Sequence, residues 1–151
     1  KESSAASDVY KRQDKMYPSE IVLPMKEQLT SHGFQDLTSA QAVEEALQQP
    51  GTTLVMVNSV CGCAAGAARP GVLLSLDNEK VPSNLTTVFA GYDIDAVAKA
   101  REHFAPFPPS SPAIALFKDG ELVHMLERHH IEGHSAEVIA DNLKSAYNDF
   151  V

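Results

Sequence analysis

One stretch decides the fold, and it reads Val57-Asn58-Ser59-Val60-Cys61-Gly62-Cys63-Ala64-Ala65-Gly66-Ala67-Ala68-Arg69-Pro70. Residues 53–57 just before the cysteines are apolar and mostly β-branched, which is typical of a short buried strand. The alanine-rich residues after the cysteines predict the first turns of a helix. Both cysteines of the chain therefore lie where a strand passes into a helix. Free N–H groups and the helix dipole stabilise a thiolate there, and the thiolate is the nucleophilic form of cysteine.

Three interpretations of this Cys-x-Cys pair are open. The two thiols could be small buried apolar side chains, or they could bind zinc together with His129-His130. They could also carry out thiol–disulfide chemistry. The third is favoured, because the pair opens a helix beside Ser59 and Gly62 and its spacing matches no usual zinc pattern. No bound metal is expected.

The spacing also predicts the kind of redox chemistry. A disulfide closed across one residue forms a tight ring, in which the preferred S–S torsion and Cα separation are hard to satisfy. Gly62 eases the backbone without removing this strain. A strained disulfide is easily reduced, which favours exchange or shuffling of disulfides over strong reduction. Cys61 is nearer the helix start, so it is expected to be the exposed, low-pKa attacking thiol, with Cys63 as the resolving thiol.

Composition limits the class of protein. The 151 residues suit one domain with a real core. A net charge of −8 without a basic stripe argues against nucleic acid and anionic membranes as partners. We see neither a signal peptide nor an apolar stretch long enough to span a membrane. Two close cysteines in such a chain predict a cytoplasmic, catalytic or sensing pair. The oligomeric state cannot be predicted.

The order of elements predicts an α/β fold. Residues 1–15 are polar without a hydrophobic period and are expected to be disordered or appended, with the single domain spanning residues 16–151. An N-terminal helical segment precedes the pattern β-α-β-α-β-β-α. One βαβ crossover and one tight hairpin at Asp119-Gly120 predict a mixed four-stranded sheet with helices on both faces. The predicted strands are 53–58, 86–91, 113–117 and 122–126.

Prolines and capping residues predict where helices begin and bend. Pro24 is expected to break or kink the N-terminal helix, and Pro70 to kink the cysteine helix. The sequence Thr38-Ser39-Ala40-Gln41 resembles a capping box, and Asp93 and Ser135 are predicted N-caps.

Several motifs together resemble one known family. The strand–Cys–helix start, the proline in that helix and the sequence from Ser111 to Glu121 resemble the thioredoxin fold. More narrowly, the chain resembles the bacilliredoxin family from about Met16 to Phe150. The motifs that carry this resemblance are Val57-Asn58-Ser59-Val60-Cys61-Gly62-Cys63-Ala64-Ala65-Gly66, Thr87-Val88-Phe89-Ala90-Gly91, Pro108-Pro109-Ser110-Ser111-Pro112 and Glu127-Arg128-His129-His130-Ile131-Glu132-Gly133-His134.

The resemblance implies an activity. Bacilliredoxins remove bacillithiol, a low-molecular-weight thiol, from oxidised protein cysteines, and disulfide isomerase activity has been proposed for the family. By analogy Cys61 takes up bacillithiol as a mixed disulfide, and Cys63 or a second bacillithiol resolves it. Bacillithiol would be a co-substrate, with S-thiolated proteins as partners and no other cofactor. Pro112 matches the cis proline of thioredoxin-like proteins, so Ser111 would offer backbone hydrogen bonds to a client. A disulfide isomerase or redox sensor without small-thiol specificity is the alternative.

This sequence departs from the family at two positions. Some members carry a further cysteine near the C-terminus, where this sequence reads Asp149-Phe150-Val151, so the resemblance does not extend to that thiol. Gly71 stands where alanine is expected and should loosen the helix by up to ~1 kcal/mol.

Five further side chains have two interpretations each. Asn58 and Ser59 either cap the helix or also tune Cys61, and both are candidate substrate-binding residues with Gly62. Arg69 either binds carboxylates of bacillithiol or is a solvated surface arginine. His129-His130 either carries protons or fills the junction between strand and helix, and the structural reading is favoured.

Overall fold

A mixed β-sheet with helices on both faces forms the fold, which the computed structural model describes for residues 17–151. The elements in chain order are α1 (Ser19–Thr30), β1 (Gln35–Asp36), α2 (Ala40–Leu47), β2 (Thr52–Asn58), a π-helical turn (Ala64–Ala68), α3 (Arg69–Ser75), β3 (Asn84–Phe89), α4 (Ile94–His103), β4 (Ala113–Lys118), β5 (Glu121–Leu126), α5 (Arg128–Ile131) and α6 (Ala136–Phe150). The segment 1–15 that we expected to be disordered or appended lies outside the described residues.

The sheet has the predicted mixed topology with one more strand than expected. Its strand order is β1-β3-β2-β4-β5. Strands β2 and β3 are parallel, whereas β4 is antiparallel to both β2 and β5, as the crossover and the hairpin predicted. The additional strand β1 pairs in parallel with β3 through only two residues. Gln35 and Asp36, the two residues of β1, are exposed, so β1 has no hydrophobic pattern by which the sequence could predict it.

Strand β2 lies at the centre because both of its faces are apolar, and all seven of its residues are buried. Val55 and Val57 point to a core that contains residues from α2 and α4. Leu54 and Met56 point to the opposite core, which contains residues from α1, α3 and α6. The alternation of side chains along one strand therefore supplies both hydrophobic layers.

The hairpin between β4 and β5 turns at the predicted Asp119-Gly120. Both residues have positive φ, 50° at Asp119 and 86° at Gly120, the left-handed conformation that a two-residue hairpin needs. The Asp119 carboxylate also accepts a 2.8 Å hydrogen bond from the backbone N–H of Gly51, which ties the turn to the start of β2.

The structure confirms one predicted N-cap, Ser135, and places the cap of α2 at Ser39, one residue after the start of the capping box predicted at Thr38. Ser39 and Ser135 each accept a hydrogen bond from a backbone N–H three residues later. Asp93 occupies the N-cap position of α4, but its side chain makes no cap hydrogen bond. It lies instead 2.8 Å from the buried Lys26 Nζ, which also contacts Asp36 at 3.0 Å. A buried ammonium needs anionic partners, so these carboxylates connect α1 to the sheet edge.

The two helix prolines act differently from each other. Of the break or kink expected at Pro24, the break is wrong, because α1 runs through Pro24 from Ser19 to Thr30, and the kink stays a prediction. Pro70 lies in the first turn of α3, directly after the π-helical turn. Proline has no N–H to donate, and the turn changes helix type just before it.

Gly71 has a packing role that we did not predict. A Cβ built at this position would lie 2.7 Å from Ile139 Cβ and 3.1 Å from the Ala136 carbonyl oxygen. Helices α3 and α6 thus approach too closely for any side chain. The expectation that alanine suits this position better is therefore wrong, because helix–helix packing outweighs helix propensity.

We predict that Gly71→Ala destabilises the protein by about 1–3 kcal/mol, the usual cost of overpacking a core, despite the better helix propensity of alanine. Urea unfolding measures this change. Gly66→Ala is the matched control, because a Cβ there would have no neighbour within 4 Å. Equal midpoints for the two variants would contradict the packing role of Gly71.

Candidate active site

Three chain segments meet at one edge of the sheet. The registers Val57–Ala113 and Ile114–Leu126 place the end of β2, the start of β4 and the end of β5 side by side. Residues 58–63, 110–112 and 127–131 therefore lie together at this edge, and Cys61, Gly62, Cys63 and Arg128 are the partly exposed or exposed residues that carry its chemistry. The Ser111–Pro112 bond in the second segment is cis, as the resemblance implied.

Cys61 lies at the beginning of the helix, as predicted. The helical backbone starts at Gly62, and the Cys61 carbonyl accepts hydrogen bonds from Ala64 N at 3.1 Å and Ala65 N at 3.2 Å. Cys61 and Cys63 are free thiols, both partly exposed, with their sulfur atoms 2.9 Å apart. Gly62 between them is exposed, so no side chain covers the pair from that side.

The pKa values of the two thiols are shifted in opposite directions. Burial opposes ionisation of Cys61, but hydrogen bonds from Cys63, Ser59 and the Ala64 N–H, together with the charge of Arg128, outweigh burial and lower its pKa. Burial, the hydrogen bond to Cys61 and the negative charge of that thiolate raise the pKa of Cys63. Cys61 therefore ionises first, and Cys63 remains a thiol that donates to it.

Ser59 contacts Cys61 in both of the ways considered from the sequence. Its hydroxyl accepts a hydrogen bond from the Cys61 backbone N–H at 3.2 Å, which is a capping contact. The same oxygen lies 3.2 Å from the Cys61 sulfur, to which it donates. Ser59 is buried, so a direct role in binding substrate stays a prediction, whereas its contact with the sulfur is direct.

Asn58 and Arg69 hold the loop that carries Ser59. The fully buried Asn58 side chain donates to the Met25 carbonyl and accepts from the Ser59 backbone N–H at 2.8 Å. Arg69 Nη1 donates to Asn58 Oδ1 at 2.9 Å and to the Ser59 carbonyl at 2.7 Å, while its Nε donates to Gln28 at 2.8 Å. These contacts favour a positioning role over substrate binding for both residues.

The interpretation of Arg69 as a solvated arginine is wrong, because only 2% of the residue is exposed. Its recorded acceptors are all neutral, and no carboxylate lies within salt-bridge distance among residues 17–151. Burial lowers the pKa of Arg69, whereas the Cys61 thiolate raises it again. By reciprocity this buried cation favours the thiolate form of Cys61.

Sequence reasoning missed Arg128, which follows β5. Its Nη1 donates to the Ser111 carbonyl at 3.1 Å, and its backbone N–H donates to Ser110 Oγ at 3.2 Å. Its charge favours the thiolate of both cysteines. Arg128 belongs to the last motif that carried the family resemblance, and that was the available signal.

The zinc site considered from the sequence does not form. In the described part of the chain, the group of metal-ligand side chains that come within 4.8 Å of one another comprises Glu127, His129 and His130, without a cysteine. His130 Nδ1 accepts the Glu127 N–H in a reciprocal capping box. That contact assigns the ring proton to Nε2, whereas a metal-bound histidine uses one nitrogen as ligand and donates from the other. His130 therefore has the structural role that the sequence favoured.

Comparison with known proteins assigns the family. The family model described as Disulphide isomerase matches residues 17–151. A bacilliredoxin of Cytophaga hutchinsonii is 59% identical over 134 residues, which cover 89% of this chain and 99% of the relative. The chain belongs to the bacilliredoxin family. A bacilliredoxin of Bacillus cereus is 50% identical over 133 residues, covering 88% and 92% of the two chains.

Solved structures agree with the predicted fold. A mutant thioredoxin from Halobacterium salinarum superposes with a TM-score of 0.53 at 15% identity, covering 77% of this chain and 88% of that one. Mitochondrial thioredoxin 3 from Saccharomyces cerevisiae in its oxidised form gives 0.53 at 15%, covering 82% and 99%. The chain thus has a thioredoxin-like fold. With its family it is a thiol–disulfide oxidoreductase. Among residues 17–151, no helix has the length and apolar character needed to cross a membrane.

The acidity of Cys61 predicts a pH profile. In Cys63→Ser, which retains a hydroxyl donor, the alkylation rate of Cys61 should fall as pH drops through a midpoint below the ordinary thiol pKa of ~8.5. Ser59→Ala should raise that midpoint by about one pH unit, because a hydrogen bond to a charged group contributes about 1.5 kcal/mol. Ser83→Ala, an exposed change at the opposite end of the sheet, is the control. An unchanged midpoint in Ser59→Ala would show that Ser59 does not tune the sulfur.

The buried charge of Arg69 predicts a second effect, separable from its hydrogen bonds. In the Cys63→Ser background, Arg69→Gln removes the charge and should raise the Cys61 midpoint, by less than Ser59→Ala does. Arg69→Lys keeps a cation but loses the planar fork, so it should lower the urea midpoint with a smaller change in acidity. Equal acidity changes in the two folded variants would mean that Arg69 acts only by holding the loop.

Proposed function

We propose that this protein removes bacillithiol, or a similar low-molecular-weight thiol, from mixed disulfides on protein cysteines in the cytoplasm. Cys61 attacks and Cys63 resolves. The observation that carries this proposal is a pair of partly exposed sulfurs 2.9 Å apart at a helix start. The surroundings lower the pKa of Cys61 and raise the pKa of Cys63. A thiolate that forms readily beside a thiol held protonated suits attack by the first and later release by the second.

The proposed reaction has two exchanges. The Cys61 thiolate attacks the small-thiol sulfur of the mixed disulfide, forming a Cys61–small-thiol disulfide and releasing the client cysteine as a thiolate. Cys63 then loses its proton and attacks the Cys61 sulfur, which forms the Cys61–Cys63 disulfide and releases the small thiol. Alternatively, a second small thiolate attacks the adduct, leaving as a symmetrical disulfide and regenerating Cys61. In the first route the two electrons that reduce the mixed disulfide come from the Cys61–Cys63 pair, which becomes oxidised. In the second route they come from the second small thiol, which leaves in the symmetrical disulfide.

Changes in charge explain why the second step follows the first. In the adduct Cys61 is neutral, so the thiolate that raised the pKa of Cys63 is gone. Cys63 consequently ionises more easily after Cys61 has reacted, while Arg128 continues to favour its thiolate. We propose that the client lies across the cis Ser111–Pro112 segment and reaches the sulfurs over Gly62.

Single cysteine variants test this proposal. The wild type should remove bacillithiol from a client protein that carries it as a mixed disulfide, whereas Cys61→Ser should not. Cys63→Ser should accumulate the adduct on Cys61, visible by intact-mass spectrometry. Removal of bacillithiol by Cys61→Ser at the wild-type rate would refute the proposed roles of the two cysteines.

Disulfide isomerisation is the second candidate, because the matched family model carries that description. An isomerase should restore activity to a client with scrambled disulfides, without a small thiol and with Cys61 intact. Comparing bacillithiol and glutathione adducts on one client separates the candidates, since an unspecific enzyme would process both equally.

A further inference from the structure

Arg128 presents a cation to solvent beside the two cysteines. Its side chain is 42% exposed, unlike that of Arg69, which is enclosed by its hydrogen-bond partners. The residue lies two positions after the end of β5, and β5 lies next to the strand that begins after Pro112. Its guanidinium therefore borders the surface from which a small disulfide would reach Cys61.

Hydrogen bonds hold this guanidinium in place while part of it stays exposed to solvent. The backbone of Arg128 donates to Ser110 Oγ, and Nη1 donates to the Ser111 carbonyl at 3.1 Å, so one side of the fork is fixed. The nearest carboxylate is Glu132, 3.3 Å from Nη2 and itself 61% exposed. An exposed i,i+4 pair of this kind is weak, so a ligand carboxylate can replace or share it.

The surrounding charge makes one local cation important. The whole chain carries a net charge of −8, which opposes approach of an anionic small molecule. Arg128 is placed where its positive charge also favours both thiolates. An anionic thiol arriving at this surface would thus meet one favourable charge in an unfavourable field.

We infer that Arg128 binds a carboxylate of the small thiol and so selects anionic low-molecular-weight thiols over neutral or cationic ones. This inference rests on the proposed function and identifies the substrate class of the same site. Arg128 takes the carboxylate-binding role that was one of two interpretations of Arg69, whose guanidinium is buried and already bonded to the protein. Arginine suits this role because its planar fork matches a carboxylate.

The groove on the other side of the cysteine helix fits an anion less well. It has a volume of about 480 Å³, and its lining residues are Pro24, Glu27, Gln28, Ser31, His32, Ala65, Pro70 and Leu73. Glu27 places a carboxylate there, and neither lysine nor arginine lines the groove. The acidic part of a small thiol should therefore lie toward Arg128.

Three mixed disulfides of one single-cysteine client test the inference. The client is linked to mercaptosuccinate, which carries two carboxylates, to neutral 2-mercaptoethanol or to cationic cysteamine. The measured quantity is the ratio of kcat/KM for the mercaptosuccinate adduct to that for the 2-mercaptoethanol adduct. This ratio cancels any change in Cys61 acidity, because all adducts meet the same thiolate.

We expect the kcat/KM of the wild type to be highest for the mercaptosuccinate adduct, lower for the 2-mercaptoethanol adduct and lowest for the cysteamine adduct. Arg128→Gln should reduce the ratio about five-fold, mainly through KM, and Arg128→Lys should retain part of it. Lys118→Gln is the matched control, because it removes the same charge at the far end of β4. An unchanged ratio in Arg128→Gln, or an equal fall in Lys118→Gln, would overturn the inference.

A measurement without turnover separates this inference from the proposed function. Cys63→Ser, with and without Arg128→Gln, is titrated with the symmetrical disulfides of mercaptosuccinate and 2-mercaptoethanol, and the Cys61 adduct is quantified by intact mass. Loss of the anionic preference in the double variant supports the role of Arg128 even if no client is released. Equal adduct preference in both backgrounds refutes that role even if bacillithiol is removed normally.

Discussion

The contact between the Arg69 guanidinium and the Ser59 carbonyl is the constraint on which the active site depends. A buried arginine is costly unless its N–H groups are bonded, and here they bond to the loop that leaves the central strand. That loop can then point the Ser59 hydroxyl at Cys61. The same cation has no carboxylate partner among the described residues. Its positive charge therefore attracts the thiolate that forms at Cys61 without first being neutralised by another anion.

Helix packing supports this arrangement from the other side. The π-helical turn follows Cys63 directly and ends where Arg69 begins α3. Two residues later Gly71 lets α6 approach to contact distance, which fixes the helix that carries Arg69. Cys63, Arg69 and the close contact between α3 and α6 therefore lie on one continuous helical stretch.

Much of the fold could be predicted because its signals are local. The apolar run of β2, the Asp119-Gly120 turn and the serine cap at Ser135 are properties of a few neighbouring residues, and the structure confirms them. Strand β1 was missed because it is two residues long and exposed. The ion pairs of Lys26 were missed because both carboxylates belong to other elements, distant in sequence.

The sequence by itself determined that Cys61 begins a helix after a buried strand, because strand and helix signals and the cysteines lie within one stretch. Only the tertiary structure decided which charges act on that sulfur. Arg69 turned inward and Arg128 came to the active-site surface, since burial and the register of neighbouring strands depend on the packing of the whole chain. Local chemistry is therefore readable from the order of residues, whereas the electrostatic field at a site depends on which distant residues the fold brings together.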